Sequence, residues 1–197
     1  MVKKRTTKER ILNTAFELFT SSSYNKISID DIIKKAGVSK GGLFHHFNSK
    51  YDLAREALFY AVKNLWDEPM ADLESIKSPY KKLKKLINYS VDIAIKNPKM
   101  IKFFIDIHEE TLKKGEDAEP WLEFFIQYIE TLRKMFDDCK IPNPQIKAMI
   151  LLVSLDAVGF EAAHFPELED TMDREQLKHE FYEIFVGNYA KLLQRGD

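Results

Sequence analysis

Apolar residues recur three and four positions apart along almost the whole of this 197-residue chain, and no stretch sustains the alternation of a half-buried strand. A chain patterned this way buries its stripes by packing helix on helix, so an all-α fold of about nine helices is expected. Twenty-four aromatics (14 Phe, 8 Tyr, 2 Trp) and 45% hydrophobic residues are too many for a solvated coil, which excludes disorder. The single cysteine, Cys139, has no partner within the chain and fits a reducing cytoplasm. Basic residues open the chain without an apolar stretch behind them, so no leader is expected. The most apolar run, Ala148 to Leu155, falls far short of the roughly 20 residues a bilayer needs, and no membrane partner is expected.

Capping signals mark where the helices start. Thr6 and Glu9 form a capping box ahead of the stripe Ile11, Leu12, Ala15, Phe16 and Phe19. Ser28 and Asp31 repeat the signal before Ile29, Ile32, Ile33 and Ala36. Ser39 can cap a third helix running to about Phe47, and Ser49 with Asp52 opens a longer one that buries Leu53, Ala57, Leu58, Ala61, Val62 and Leu65. Pro79, Pro98 and Pro120 each suit a helix's first turn, whereas Gly115 and Pro166 each end one. Further helices are expected from Gln145 to about Phe165 and from Asp173 to about Gln194. The boundary expected is a head at residues 1–50 and a body at 51–197.

Charge divides the same way. Residues 1–50 carry ten Lys and Arg against four acids, a net +6, which leaves −7 on the remainder. A basic end on an acidic body suits a polyanion at one end only.

Two short capped helices joined by Ala36-Gly37-Val38-Ser39 make a helix-turn-helix pattern. Gly37 can take the positive φ of the turn, and Val38 fills the corner. The second helix opens Lys40-Gly41-Gly42, and each glycine there costs about 1 kcal/mol relative to alanine. That loss makes sense where the backbone must lie close to something, such as the wall of a DNA groove. Leu43 and Phe47 anchor inward, leaving Lys40, Phe44, His45 and His46 on or near the outward side.

The segment from Ala36 to Lys50 resembles the DNA-binding signature of the TetR family of one-component transcriptional regulators, and the resemblance spans roughly residues 8–55. It implies a ligand-responsive repressor that binds double-stranded DNA as a homodimer on a palindromic operator. It also implies DNA contacts at Ser28, Lys40, Gly41, Gly42, Phe44, His45, His46 and Lys50, with Ser28 and Lys50 on phosphate. Two positions depart from the family pattern. Phe44 stands where tyrosine is usual and loses a hydroxyl, and Ser23 stands where glycine is frequent, so the turn before Tyr24 is expected to be strained or reshaped.

No enzyme is expected. His108-Glu109-Glu110 lacks the second histidine of a zinc-protease helix, Gly41-Gly42 follows no strand, and the five histidines show no ligand spacing, so neither metal nor cofactor is expected. The body carries flexible and aromatic residues suited to a large hydrophobic effector: Trp66, Tyr89, Phe103, Phe104, Ile107, Trp121, Phe125, Tyr128, Met149 and Phe160. A fatty acyl-CoA, its phosphates met by Lys81, Lys82, Lys84, Lys85, Lys99 or Lys102, is favoured over a lipophilic cation held by Asp106, Glu109 or Asp156. The apolar last two helices suggest a dimer interface at Leu152, Phe160, Phe181 and Phe185. An all-α lipid carrier that binds no DNA is the rival from another class.

Overall fold

The computed structural model describes residues 5–115, 119–165, 167, 173–187 and 189, the side chains of 68 and 119–121 excepted. Helix starts follow the caps. The Thr6 hydroxyl accepts from the Glu9 N–H at 3.2 Å and the Glu9 carboxylate accepts from the Thr6 N–H at 2.7 Å, opening α1 (Thr7–Ser21). Ser28 and Asp31 do the same for α2 (Ile29–Ala36). Gly37, at φ 64°, ends that helix, and the Ser39 hydroxyl accepts from the Gly42 N–H at 3.0 Å to cap α3 (Lys40–Phe44).

The third helix is shorter than expected. It stops at Phe44 rather than about Phe47 because the chain tightens into a turn, in which His46 N–H donates to the Leu43 carbonyl, and carries Phe47 into the core. A single 3₁₀ turn (Tyr24–Lys26) precedes α2. Ser23 sits at φ −63°, an ordinary extended conformation, so serine in place of glycine brings no strain there.

The remaining helices are α4 (Lys50–Glu74), α5 (Pro79–Lys96), α6 (Pro98–Lys114), α7 (Glu119–Asp138), α8 (Pro144–His164) and α9 (Arg174–Tyr182). A π-type turn over Glu183–Gly187 follows α9. Pro69 lies within α4, which continues through it despite the missing N–H. Among the described residues there are nine α-helices and no strand. The part of the last helix expected to reach Gln194, Leu192 included, lies outside the described residues.

The chain forms two compact units, residues 1–65 with 99–118 and residues 66–98 with 119–197. The first unit also holds the start of α4 and nearly all of α6. In the first unit, α6 sends Phe103 between Phe16 and Phe19 of α1, with ring centroids 6.1 and 5.1 Å away. In the second, α5 packs on α7, α8 and α9 around a core of Leu83, Ile87, Val91, Leu132, Phe136, Leu151 and Leu155.

Candidate nucleic-acid interface

Leu43 and Phe47 are buried and pin α3 inward, which turns the start of that helix toward solvent. Lys40 lies exposed there, with no ionic partner among the described residues. A Cβ placed on Gly41 would meet nothing within 4 Å, and the backbone there has no positive φ. Among the described residues nothing therefore requires glycine at position 41. A Cβ on Gly42 would come within 3.2 Å of the Ser39 hydroxyl, so this second glycine protects the cap.

Phe44 is 42% exposed, a large apolar ring left in water beside the glycines. His45 is exposed and His46 half-buried, their rings edge to face at 5.1 Å. The tilted Phe47 ring, 6.1 Å from His46, backs the second imidazole. Lys40, Phe44, His45 and His46 thus present one ammonium, two imidazoles and one apolar ring along a single short stretch.

Two expected phosphate ligands are placed in unexpected ways. The Ser28 hydroxyl donates to the Asp31 carboxylate at 2.6 Å and its backbone N–H donates to the same oxygen at 2.8 Å. Both of its donors are therefore committed to the capping box, and these bonds hold the Asp31 carboxyl below its ordinary range. Lys50, at the first turn of α4, lays its ammonium over the Tyr24 ring, 4.1 Å from the centroid. Burial pushes the Lys50 ammonium down, opposed by attraction to Glu110, and pushes the Tyr24 phenol up to about 12. Tyr24 as the seat of Lys50 carried no signal in the sequence, since the two are separated by the whole of α2 and α3.

A glycine-turned pair of capped helices with an exposed second helix defines a helix-turn-helix protein. Residues 11–57 match the family model described as bacterial regulatory proteins, tetR family. The chain is 39% identical over 64 residues to the uncharacterized HTH-type transcriptional regulator YxaF of Bacillus subtilis, a stretch covering 32% of this chain and 34% of that relative's length. The chain thus spans about a third of this curated relative. Its fold resembles that of a transcriptional regulator, RHA1_ro04179, from Rhodococcus sp. Rha1, with a TM-score of 0.72 at 21% identity over 94% of this chain and 97% of the other. It also resembles the fatty acid degradation regulator FadR of Bacillus halodurans, with a TM-score of 0.66 at 16% identity over 93% and 96% of the two chains.

The residues expected around an effector are divided between the two units. Phe103 and Ile107 are buried in the first unit, and Phe104 of that unit stacks on His108 at 6.2 Å. Met149 and Phe160 are 50% and 44% exposed on α8, the latter stacked on His164. Tyr89 donates its hydroxyl to the Asp72 carboxylate at 2.8 Å, and Phe125 meets Phe124 edge to face. Trp66 and Tyr128 are brought together, with centroids 5.0 Å apart. Tyr128 shares a 2.7 Å hydrogen bond with Ser90, and burial pushes its phenol up. The side chain of Trp121 lies outside the described residues.

The lysines expected to meet phosphate on α5 are partly engaged. Lys85 pairs with Asp72 at 3.0 Å, and Lys84 lies over the Tyr182 ring at 5.0 Å. Of the acids considered for a cation, Asp106 accepts from the Tyr24 N–H at 3.1 Å, and Glu109 is exposed beside Lys113. Asp156 has no ionic or hydrogen-bond partner among the described residues, and burial pushes its carboxyl up to about 6. No group of three His, Cys, Asp or Glu among the described residues could hold a metal ion.

The expected dimer residues also separate. Phe181 and Phe185 are buried and pack in the second unit's own core, Phe185 against Phe136 at 6.5 Å. Leu152 is half-buried. Phe160 lies on an exposed apolar stripe of α8 with Ile146, Met149, Ile150 and Val153, each more than two-fifths exposed. No helix among the described residues is long and apolar enough to cross a membrane.

Proposed function

We propose that the chain is a cytoplasmic transcriptional repressor that binds a near-palindromic operator as a homodimer and is released by a hydrophobic effector. In this reading residues 1–50 meet DNA and 51–197 bind effector and partner. Gly41 carries it: a helix-weakening residue with open space around it, set between Lys40, without an ionic partner among the described residues, and the exposed Phe44 and His45 with half-buried His46. A recognition helix needs such a residue, because its backbone must come close to the groove wall while side chains reach base edges. The Lys40 and Lys50 ammonium groups serve phosphate, Phe44 suits a thymine methyl, and the imidazoles serve bases and backbone. The open stripe on α8 is the surface expected to meet a second copy, as exposed apolar patches of this kind mark interaction sites. Selection from a random-duplex library, followed by anisotropy titration of the selected and scrambled sequences, tests the reading. Equal affinity for the two would overturn it, as would the absence of DNA binding expected of a lipid carrier.

For the effector we favour a fatty acyl-CoA, supported by the apolar and aromatic content of the body and by the likeness to a fatty acid degradation regulator. A lipophilic cation is the second reading, favoured by the unpaired Asp156 and the Trp66–Tyr128 pair, since aromatic faces and a carboxylate both attract cations. Thermal shift with acyl-CoAs of graded length beside lipophilic cations decides between them. Saturating ligand at about 100 times its Kd stabilises by about 2.7 kcal/mol. A shift with cations alone would replace the acyl-CoA reading.

A further inference from the structure

Lys50 is held by a ring rather than by an acid. Tyr24, in the 3₁₀ turn before α2, is buried, and Phe19 of α1 backs its ring with centroids 5.5 Å apart. The Tyr24 backbone N–H donates to the Asp106 carboxylate of α6 at 3.1 Å, which fixes the turn. The ring so placed carries the Lys50 ammonium 4.1 Å from its centroid. No ion pair or hydrogen bond takes up the Lys50 side chain among the described residues. Glu110, the acid that attracts it, is itself paired with Lys113 at 3.0 Å. Lys8 and Lys35 are held differently, by the carboxylates of Glu56 and Glu17 at 2.6 and 3.1 Å.

These two arrangements leave a lysine in different states. A carboxylate cancels much of the charge it fixes and occupies the N–H donors. A ring attracts a cation through its negative face, has no net charge to cancel it, and leaves the ammonium's donors free. Lys50 is only half-buried, so it stays within reach of a ligand from solvent. We propose that Tyr24 is the positioning residue for Lys50, its ring holding the ammonium in place for a DNA phosphate without neutralising it. The proposal rests on the DNA-binding reading above. A lysine stem loses freedom when it is fixed, and a stem already ordered on a ring has less left to lose when phosphate arrives. A phosphate contact carries no sequence information, so the gain is the same for operator and random DNA.

The test grades the ring's negative face in the full chain, by anisotropy titration of a labelled random-sequence duplex at about 50 mM salt. Tyr24→Phe, which keeps the ring, is expected to bind as wild type does. Phenylalanines carrying one, two and three ring fluorines at position 24 are expected to weaken binding stepwise, reaching about 2- to 5-fold per head. Fluorine leaves the ring's shape against Phe19 nearly unchanged, so a merely structural role would not follow the series. In a Lys50→Ala background the series is expected to be flat. Affinity indifferent to fluorination, or a graded loss that survives Lys50→Ala, would overturn the proposal. So would a loss on Tyr24→Phe as large as that from three fluorines. A wild-type chain that binds no duplex would instead overturn the DNA-binding reading beneath it.

Discussion

Gly41, Lys50 and His46 sit within ten positions of one another, yet each is expected to fail differently when changed. Gly41→Ala removes a helix-weakening residue into open space, so the melting temperature should hold or rise, by up to about 1 kcal/mol of stability, while DNA binding drops. A fall in both would mean that position 41 serves the fold. Lys50→Ala should weaken operator and random duplex alike, whereas His46→Ala should lose more on operator; paired anisotropy titrations separate them. Asp156 gives a pH signature. Asp156 is exposed as a residue, but partial burial of its carboxyl pushes it up to about 6 from about 3.9 unfolded, a solvent-screened effect by which the folded state favours the proton between those values. Stability from this group is therefore present at low pH and lost as pH rises through about 6. Asp156→Asn should raise the melting temperature at pH 7.5 and converge with wild type near pH 4. The caps, the glycine turn and the outward placing of Lys40, Phe44 and His45 were legible because each acts over three or four positions. The seat of Lys50 on Tyr24 was not, since a cation laid on a ring leaves no periodic trace.

Helix α8 shows why an apolar count reads poorly at the scale of an element. The sequence gives apolar residues all round it, and the structure divides them into two faces. Ala148, Leu151, Leu155, Ala162 and Ala163 fill the core, while Ile146, Met149, Ile150, Val153 and Phe160 stand in water. The expected interface took Phe181 of α9 and Phe185 of the turn after it from the same kind of stripe, and the structure buries both. Period alone cannot say which of two apolar faces meets the chain's own core. Val153→Glu should accordingly keep the fold and sediment as a monomer that binds operator poorly. Phe185→Glu should instead melt early, because losing a buried ring costs about 3–5 kcal/mol before any charge is buried. A dimeric Val153→Glu variant would place the interface elsewhere. Pro69 misleads in the opposite sense: a proline usually ends a helix, and α4 runs past it to Glu74.

Across the whole chain, charge gives the coarsest and safest reading. With +6 on residues 1–50 and −7 beyond, the body is repelled from the polyanion that the head attracts. If the dimer meets about 6–10 phosphates, affinity should fall about 10³–10⁵-fold between 50 and 200 mM salt, with half-sites spaced by about 34–36 Å or a multiple. A salt-independent affinity would exclude that footprint. The all-helical class was legible throughout, because periodicity is local. The membership of α6 was not: its ties to Tyr24 and Tyr51 join positions 82 and 60 residues apart, and nothing in an amphipathic helix names the surface it will meet.

Cys139, the one thiol, is 1% exposed in the core, and burial pushes it up to about 11. At neutral pH it is neither accessible nor a thiolate, so alkylating reagents can reach it only through molecules that have transiently opened. The rate of its modification by a chromogenic disulfide is therefore a clock for that opening, carried by the unmodified chain. Run with and without a candidate effector, it would register ligand as a slowing of chemistry at a single atom, free of any attached dye.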